Sequence, residues 1–170
     1  MKRLIFLLIP LYLLSCKSKV PVFEIYQEAN FTIPSGKDPI ATHHFLIKNI
    51  PSFLNQNLEE KQVSLNDISQ LYAGRGKINS IYTSANFGII SKISIWIYKE
   101  GDSDHAVEIY YRDEIPLNLN GEMKLLSTGE DVRDILKNEY YNIDMEIQFK
   151  DFISAPIECR FTYSFAAYTE

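Results

Sequence analysis

The sequence predicts an all-β protein, an immunoglobulin-like antiparallel β-sandwich with one short helix. Apolar and polar residues alternate with a period of two in about eight segments, as they do in strands that bury one face. Turn-forming stretches separate these segments, and 13% of the 170 residues are aromatic, which suits ordered strands rather than a disordered chain. This pattern favours two packed antiparallel sheets. Because the Cys…Trp…Cys signature of antibody domains is missing from the sequence, only the general architecture is predicted.

The first strand is predicted at residues 23–33. The residues that share its apolar face are Phe23, Ile25, Ala29, Phe31 and Ile33. Only Gln27 interrupts this face. A turn over 34–39 leads to a second strand, from about Ala41 to Ile50, which stops at Pro51 because proline cannot donate a ladder hydrogen bond.

Residues 52–71 are ambiguous, since apolar residues recur there at helical spacing over short distances only. We expect one or two helical turns, with Ser64 and Asp67 as an N-terminal cap. Ala73-Gly74-Arg75-Gly76 precedes a strand predicted from Lys77 to about Tyr82. Two glycines beside an arginine can approach a phosphate, but the spacing and the following helix of a phosphate loop are missing, so a bulge or turn is preferred.

The most apolar strand is predicted at 90–99, and a five-residue loop joins it to a strand at 106–112. Pairing Lys99 with His105 sets the register of this central hairpin. The resulting apolar pairs are Ile97 with Val107, Ile95 with Ile109, and Ile93 with Tyr111. The opposite face then gathers Ser94, Trp96, Tyr98, Glu108 and Tyr110.

The last third of the chain predicts a short strand at 122–126 and a helix from about Gly129 to Asn138, with Ser127 and Glu130 as a capping box. The final two strands alternate cleanly and are predicted to pair as a hairpin. Matching their apolar faces sets two pairs opposite each other, Ile147 with Cys159 and Glu146 with Arg160.

The chain begins with Lys2 and Arg3, and an apolar run from Leu4 to Leu14 follows that is shorter than the roughly 20 residues needed to span a bilayer. This layout predicts a secretory signal peptide. Its last residues, Leu13-Leu14-Ser15-Cys16, resemble the lipobox of bacterial lipoproteins. The resemblance implies cleavage before Cys16 and lipidation of that cysteine. An ordinary signal peptide, or a short anchor with an incidental cysteine, is the alternative.

These features divide the chain into a signal peptide at 1–15, a lipidated N-terminus and tether at 16–22, and a single sandwich domain at 23–170. Lipid on Cys16 would attach the protein to a membrane of the bacterial cell envelope. No aspartate follows Cys16, which by the same resemblance argues against retention in the inner membrane and favours the outer membrane.

The charge of the chain argues against a nucleic acid partner, and its cysteine content argues against an intrachain disulfide. Without Lys2 and Arg3, 15 basic residues remain against 22 acidic ones, and an acidic surface repels phosphate backbones, so no nucleic acid partner is expected. With Cys16 lipidated, Cys159 has no cysteine left for an intrachain disulfide. Its place on an apolar strand face predicts a buried, inert thiol, with a reactive thiol as the alternative.

The sequence contains no GxSxG, HExxH, CxxC or dinucleotide fingerprint, so neither a cofactor nor a metal site is predicted. His43 and His44 are adjacent, and on a strand they face opposite ways. Asp102, Asp104 and His105 share a hairpin loop, which is either an exposed polar tip or a weak metal site.

The feature that most favours binding is the second face of the central hairpin, with Trp96, Tyr98, Tyr110 and Glu108. Exposed aromatic side chains offer rigid apolar area with a polar tip, which suits a protein or glycan partner. Alternatively, another segment covers this face and the aromatic side chains form a secondary core.

We therefore expect a lipid-anchored, non-catalytic binding or structural module. One alternative is a surface lipoprotein that binds a glycan or peptide through the aromatic face. Another is a hydrolase with a dispersed site, which a cluster of Asp102, Asp104 and His105 with a further histidine in a cleft would favour.

Overall fold

The computed structural model describes residues 20–82 and 84–169. The described chain is dominated by eight strands: β1 (Phe23–Ile33), β2 (His43–Pro51), β3 (Gln70–Ser80), β4 (Ile90–Tyr98), β5 (Val107–Arg112), β6 (Glu122–Ser127), β7 (Tyr140–Phe149) and β8 (Ile157–Tyr168). Two short helices interrupt them, α1 (Leu54–Lys61) and α2 (Arg133–Leu136). The signal peptide, the lipobox and Cys16 lie outside the described residues.

All eight strands join one antiparallel sheet in the order β1-β8-β3-β6-β5-β4-β7-β2. Strand β6 connects the two halves, because its first four residues pair with β3 and its last two with β5. The sheet curves until its edge strands meet, and the Gln27 side chain on β1 donates a hydrogen bond of 2.9 Å to the Pro51 carbonyl on β2. The protein is therefore all-β, as the alternation predicted. Its single sheet is nearly barrel-shaped, and the predicted immunoglobulin-like arrangement of two separate sheets is not confirmed.

Successive strands run in opposite directions, so the connections alternate between the two ends of the molecule. We call the end at which β1 begins the proximal end. The opposite end, called the distal end, carries the β1–β2, β3–β4, β5–β6 and β7–β8 loops.

The core lies inside the curved sheet, and the predicted apolar face of β1 lines it. The buried hydroxyls of Tyr141 on β7 and Tyr163 on β8 lie 2.6 Å apart across this interior. Gln27, which interrupts the apolar face of β1, is buried but finds its acceptor at Pro51. A buried amide that keeps a hydrogen bond avoids most of its desolvation cost.

The predicted hairpin of the last two strands is wrong. Strand β7 pairs with β2 and β4, whereas β8 pairs with β1 and β3. Glu146 therefore lies opposite His44 and Ser94, and Arg160 contacts Asn30, with 3.3 Å between its Nε and Oδ1 of Asn30. The apolar faces were assigned correctly, but β7 and β8 face each other across the core. Matching apolar faces fit that arrangement as well as lateral pairing.

The helix predictions are confirmed in part. Ser64 and Asp67 form the expected capping box, at a three-residue 3-10 turn (Leu65–Asp67), and α1 lies within the ambiguous segment. The predicted capping box of Ser127 and Glu130 is wrong, because the Ser127 hydroxyl donates to the Ala73 carbonyl at 2.6 Å. The helix after it is only four residues long.

The Ala73–Gly76 segment is a bulge, as preferred from the sequence, but it lies inside β3, which begins seven residues before the predicted start at Lys77. The register of β3 against β8 shifts between Ala73 and Gly76. Among the described residues, no helix is long and apolar enough to cross a bilayer.

Candidate functional site

Three of the four residues predicted for partner binding lie together on the outer face of the sheet. Trp96 and Tyr98 project outward from β4, and Glu108 lies directly opposite Trp96 on β5. All three side chains are half-buried. Burial, and then the negative charge of Asp144, raises the pKa of the Tyr98 hydroxyl above its ordinary value.

The assignment of Tyr110 to this face is wrong. The predicted pair of Ile97 with Val107 is present, but a bulge at Ile109 shifts the register beyond it. Tyr110 therefore pairs with Ile95 and points into the core, and Tyr111 lies opposite Ser94 on the outer face. A bulge inserts one residue into one strand, so every side chain after it changes faces.

In the core, Tyr110 is held by the bulge of β3. Its hydroxyl lies 3.0 Å from the Ser164 carbonyl and 3.2 Å from the Arg75 carbonyl. The ring packs edge-on against Phe161, with 5.8 Å between the ring centroids. Burial raises the pKa of the Tyr110 hydroxyl far above its ordinary value. Gly76 makes room for this ring, because a Cβ atom there would lie 2.7 Å from Cε1 of Tyr110.

The polar tip of Trp96 is unavailable to a ligand on the surface. Its indole nitrogen is buried and has no hydrogen-bond partner among the described residues. The same is true of Oδ1 of Asp144, the residue directly opposite Trp96 on β7. With Tyr110 inside and this donor covered, the outer face offers less to a glycan than the sequence predicted.

Next to Trp96, a histidine and two carboxylates converge on the same outer face. His44 Nδ1 lies 2.9 Å from Asp144 Oδ2, and ligand atoms of His44, Asp144 and Glu146 all lie within 4.8 Å of one another. The hydrogen bond to Asp144 is the largest cause that raises the pKa of His44 above its ordinary value. We call these three residues the His44 cluster.

His43 points the other way, as predicted for neighbours on a strand. Its ring lies against Phe149, with 5.4 Å between centroids, and its Nε2 is 2.9 Å from the Asp38 carbonyl oxygen.

The loop candidates at the β4–β5 turn form an exposed ion-pair group. Asp102 contacts His105 Nδ1 at 2.5 Å and Lys99 Nζ at 2.9 Å. Hydrogen bonds, first from Lys99 and then from His105, lower the pKa of Asp102. No second histidine joins this group in the described part of the chain, because His43 and His44 lie on β2. The arrangement that would favour a hydrolase is therefore not formed around His105.

Cys159 is buried on β8, as predicted. Burial raises the pKa of its thiol from 9.0 to about 12.

The distal end carries a feature that the sequence analysis missed. Each of its four loops presents one large apolar side chain that is mostly exposed. These distal apolar residues are Ile40 (94% exposed), Tyr82 (82%), Leu117 (74%) and Phe152 (61%). Exposed apolar side chains gathered at one end of a folded protein favour an interaction site there.

Hydrogen bonds join the four distal loops to one another. Gly36 N–H donates to the Ile153 carbonyl at 2.7 Å, which ties the β1–β2 loop to the β7–β8 loop. Phe87 N–H donates to the Leu119 carbonyl at 2.7 Å, which ties the β3–β4 loop to the β5–β6 loop. The Lys150 ammonium group connects these two pairs, with 3.1 Å to the Gly88 carbonyl and 2.5 Å to the Ile115 carbonyl. The distal apolar residues thus stand on an ordered platform.

Comparison with known proteins assigns no family. No family model matches the sequence, and no curated protein matches it. Among solved structures, a chain from Desmodium yellow mottle tymovirus aligns over 90% of this chain and 91% of its own length, with 6% sequence identity and a TM-score of 0.28. A TM-score this low carries no information about shared fold or function.

Proposed function

We propose that this chain is a lipid-anchored, non-catalytic binding module of the bacterial cell envelope, and that it binds a protein partner through its distal end. The lipobox resemblance at Cys16 supports the anchor. The observation that carries the binding role is the platform of four joined loops, each with one exposed apolar side chain.

The direction of the chain fits this role. Strand β1 begins at the proximal end, seven residues after Cys16, and ends at the distal end. Its 11 residues span about 36 Å at about 3.3 Å per residue. A lipid on Cys16 would hold the proximal end near the membrane and leave the distal apolar residues facing away from it. Anchoring also raises the effective concentration of the module near partners in the same compartment.

The charges around the distal apolar residues favour a protein over an anionic lipid surface. The loops contain two basic residues against four acidic ones. These residues are Lys37 and Lys150, and Asp38, Asp113, Glu114 and Asp151. Anionic headgroups are repelled by such a rim. A partner with an apolar centre and neutral or basic surroundings matches it.

The anchor is tested by comparing the wild type with Cys16→Ala in the native cells. We expect the wild type in the membrane fraction and Cys16→Ala unprocessed or released from it. Unchanged processing and membrane attachment in Cys16→Ala would refute the lipoprotein assignment. Protease treatment of intact cells then shows whether the partner lies outside the cell or inside the envelope. Digestion of the wild type indicates an extracellular partner, and protection indicates a partner inside the envelope.

A further inference from the structure

We propose that the His44 cluster binds one divalent transition-metal ion of the zinc class. This site is separate from the distal platform and goes beyond the proposed binding role. It is carried by the convergence of one imidazole and two carboxylates from two paired strands, together with an unpartnered carboxylate oxygen beside them.

The strand register holds the three side chains in place. Asp144 and Glu146 are two residues apart on β7, so they project from the same face of the sheet. His44 on β2 lies directly opposite Glu146. Strand β7 is hydrogen-bonded to β2 on one side and to β4 on the other, so both carboxylates stand on a strand fixed from both sides.

The distances suit a shared ion. Zinc binds nitrogen and oxygen ligands at about 2.0–2.2 Å in a tetrahedron, which places two ligands of one ion about 3.3–3.6 Å apart. His44 Nδ1 and Asp144 Oδ2 are already 2.9 Å apart. Ligand atoms of all three residues lie within 4.8 Å of one another, which is near the separation that one shared ion requires.

Electrostatics adds a reason for a cation at this point. Oδ1 of Asp144 is buried beside Trp96 and accepts no hydrogen bond from any described residue. A buried carboxylate oxygen that accepts no hydrogen bond is costly, because it has lost its water and gained no donor in exchange. An ion bound by the other carboxylate oxygen would reduce that cost.

The ligand set selects the class of metal. Imidazole nitrogen suits zinc, copper and nickel, whereas magnesium and calcium prefer ligand sets made of oxygen atoms alone. Three protein ligands leave a coordination position open. His44 is 52% exposed, so water or a donor from another molecule can reach that position.

Zinc binding to the full-length protein tests this proposal. The protein carries a tag without histidine, is purified in detergent and stripped of metal with a chelator, and is then titrated with Zn²⁺ by calorimetry. We expect one ion per chain, and an affinity at least about tenfold weaker in His44→Ala and in Glu146→Gln, since even outer-shell changes cost that much. Thermal unfolding of the metal-free variants confirms that each is folded.

The matched control is His105→Ala, because His105 also contacts an aspartate but belongs to no group of three ligands among the described residues. We expect its zinc affinity to equal that of the wild type. Bound Co²⁺ should give d–d absorption that His44→Ala loses and His105→Ala keeps. Failure of the wild type to bind Zn²⁺ in large excess, or unchanged affinity in folded His44→Ala, would overturn the proposal.

Discussion

Gly76→Ala should destabilise the fold through Tyr110. The new Cβ atom would lie 2.7 Å from Cε1 and 2.9 Å from both Cδ1 and Cζ of the ring. Carbon atoms pack at about 3.5–4.0 Å, so the ring or the backbone must move by about 0.8 Å or more. Tyr110 is fully buried against Phe161 and hydrogen-bonded at its tip, so such a movement disturbs well-packed surroundings.

The net cost follows from two opposing effects. Overpacking of a core costs about 1–3 kcal/mol, and replacing glycine by alanine returns about 0.4–1 kcal/mol by restricting the unfolded chain. We therefore expect Gly76→Ala to lower the free energy of unfolding by about 1–2 kcal/mol. Urea unfolding followed by the fluorescence of Trp96, the single tryptophan, measures this change.

A double-mutant cycle identifies the cause. In a Tyr110→Leu background the ring is gone, so Gly76→Ala should cost little or become slightly stabilising. Gly74→Ala is the matched control, because its Cβ would lie 2.5 Å from the Ser164 hydroxyl oxygen. Its cost should respond to Ser164→Ala and not to Tyr110→Leu. An equal cost of Gly76→Ala with and without the Tyr110 ring would refute the packing of this ring against Gly76.

Other parts of the fold give three further predictions. Tyr163→Phe should cost about 1–3 kcal/mol because it leaves the buried Tyr141 hydroxyl without a partner, and the double phenylalanine variant should cost less than the sum of the single variants in urea unfolding. At pH 9.0, the ordinary pKa of a cysteine thiol, Cys159 should resist iodoacetamide in the folded protein because burial raises its pKa to about 12, and mass spectrometry should find it alkylated after unfolding in urea. Lys150→Met should raise amide hydrogen exchange around Gly88 while changing global stability by only about 1 kcal/mol, and unchanged exchange would show that the ammonium group does not hold the loops together.

The sequence predicts which face of a strand without a bulge is buried, because alternation is a local property. It does not predict which strands are neighbours. The apolar faces of β7 and β8 match in either arrangement, so the pairing of Ile147 with Cys159 was as consistent with the pattern as the facing arrangement that forms. The bulge at Ile109 has no local signal either, because Ile109 and Tyr110 are both apolar and no glycine or proline marks the shift.

The candidate sites depend on contacts between distant parts of the chain. His44 and Asp144 are 100 residues apart, and only the pairing of β2 with β7 brings them together. The distal apolar residues were missed because loop residues such as Ile115 and Leu117 look alike in sequence. The structure buries Ile115 and exposes Leu117. Burial at loop tips is set by tertiary packing, so composition alone does not separate the two.

Site-specific photo-crosslinking of the anchored protein in its native cells tests the proposed function most directly. A photoreactive phenylalanine replaces Tyr82 or Phe152 at the distal end. The control positions are Tyr140, near the proximal end, and Tyr26, on the outer face of β1. All four are exposed aromatic residues. We predict the same protein adduct from both distal positions and none from Tyr140 or Tyr26, with the adduct lost when Leu117→Asp is added. No adduct from the distal positions, or an equal adduct from Tyr140, would contradict the account.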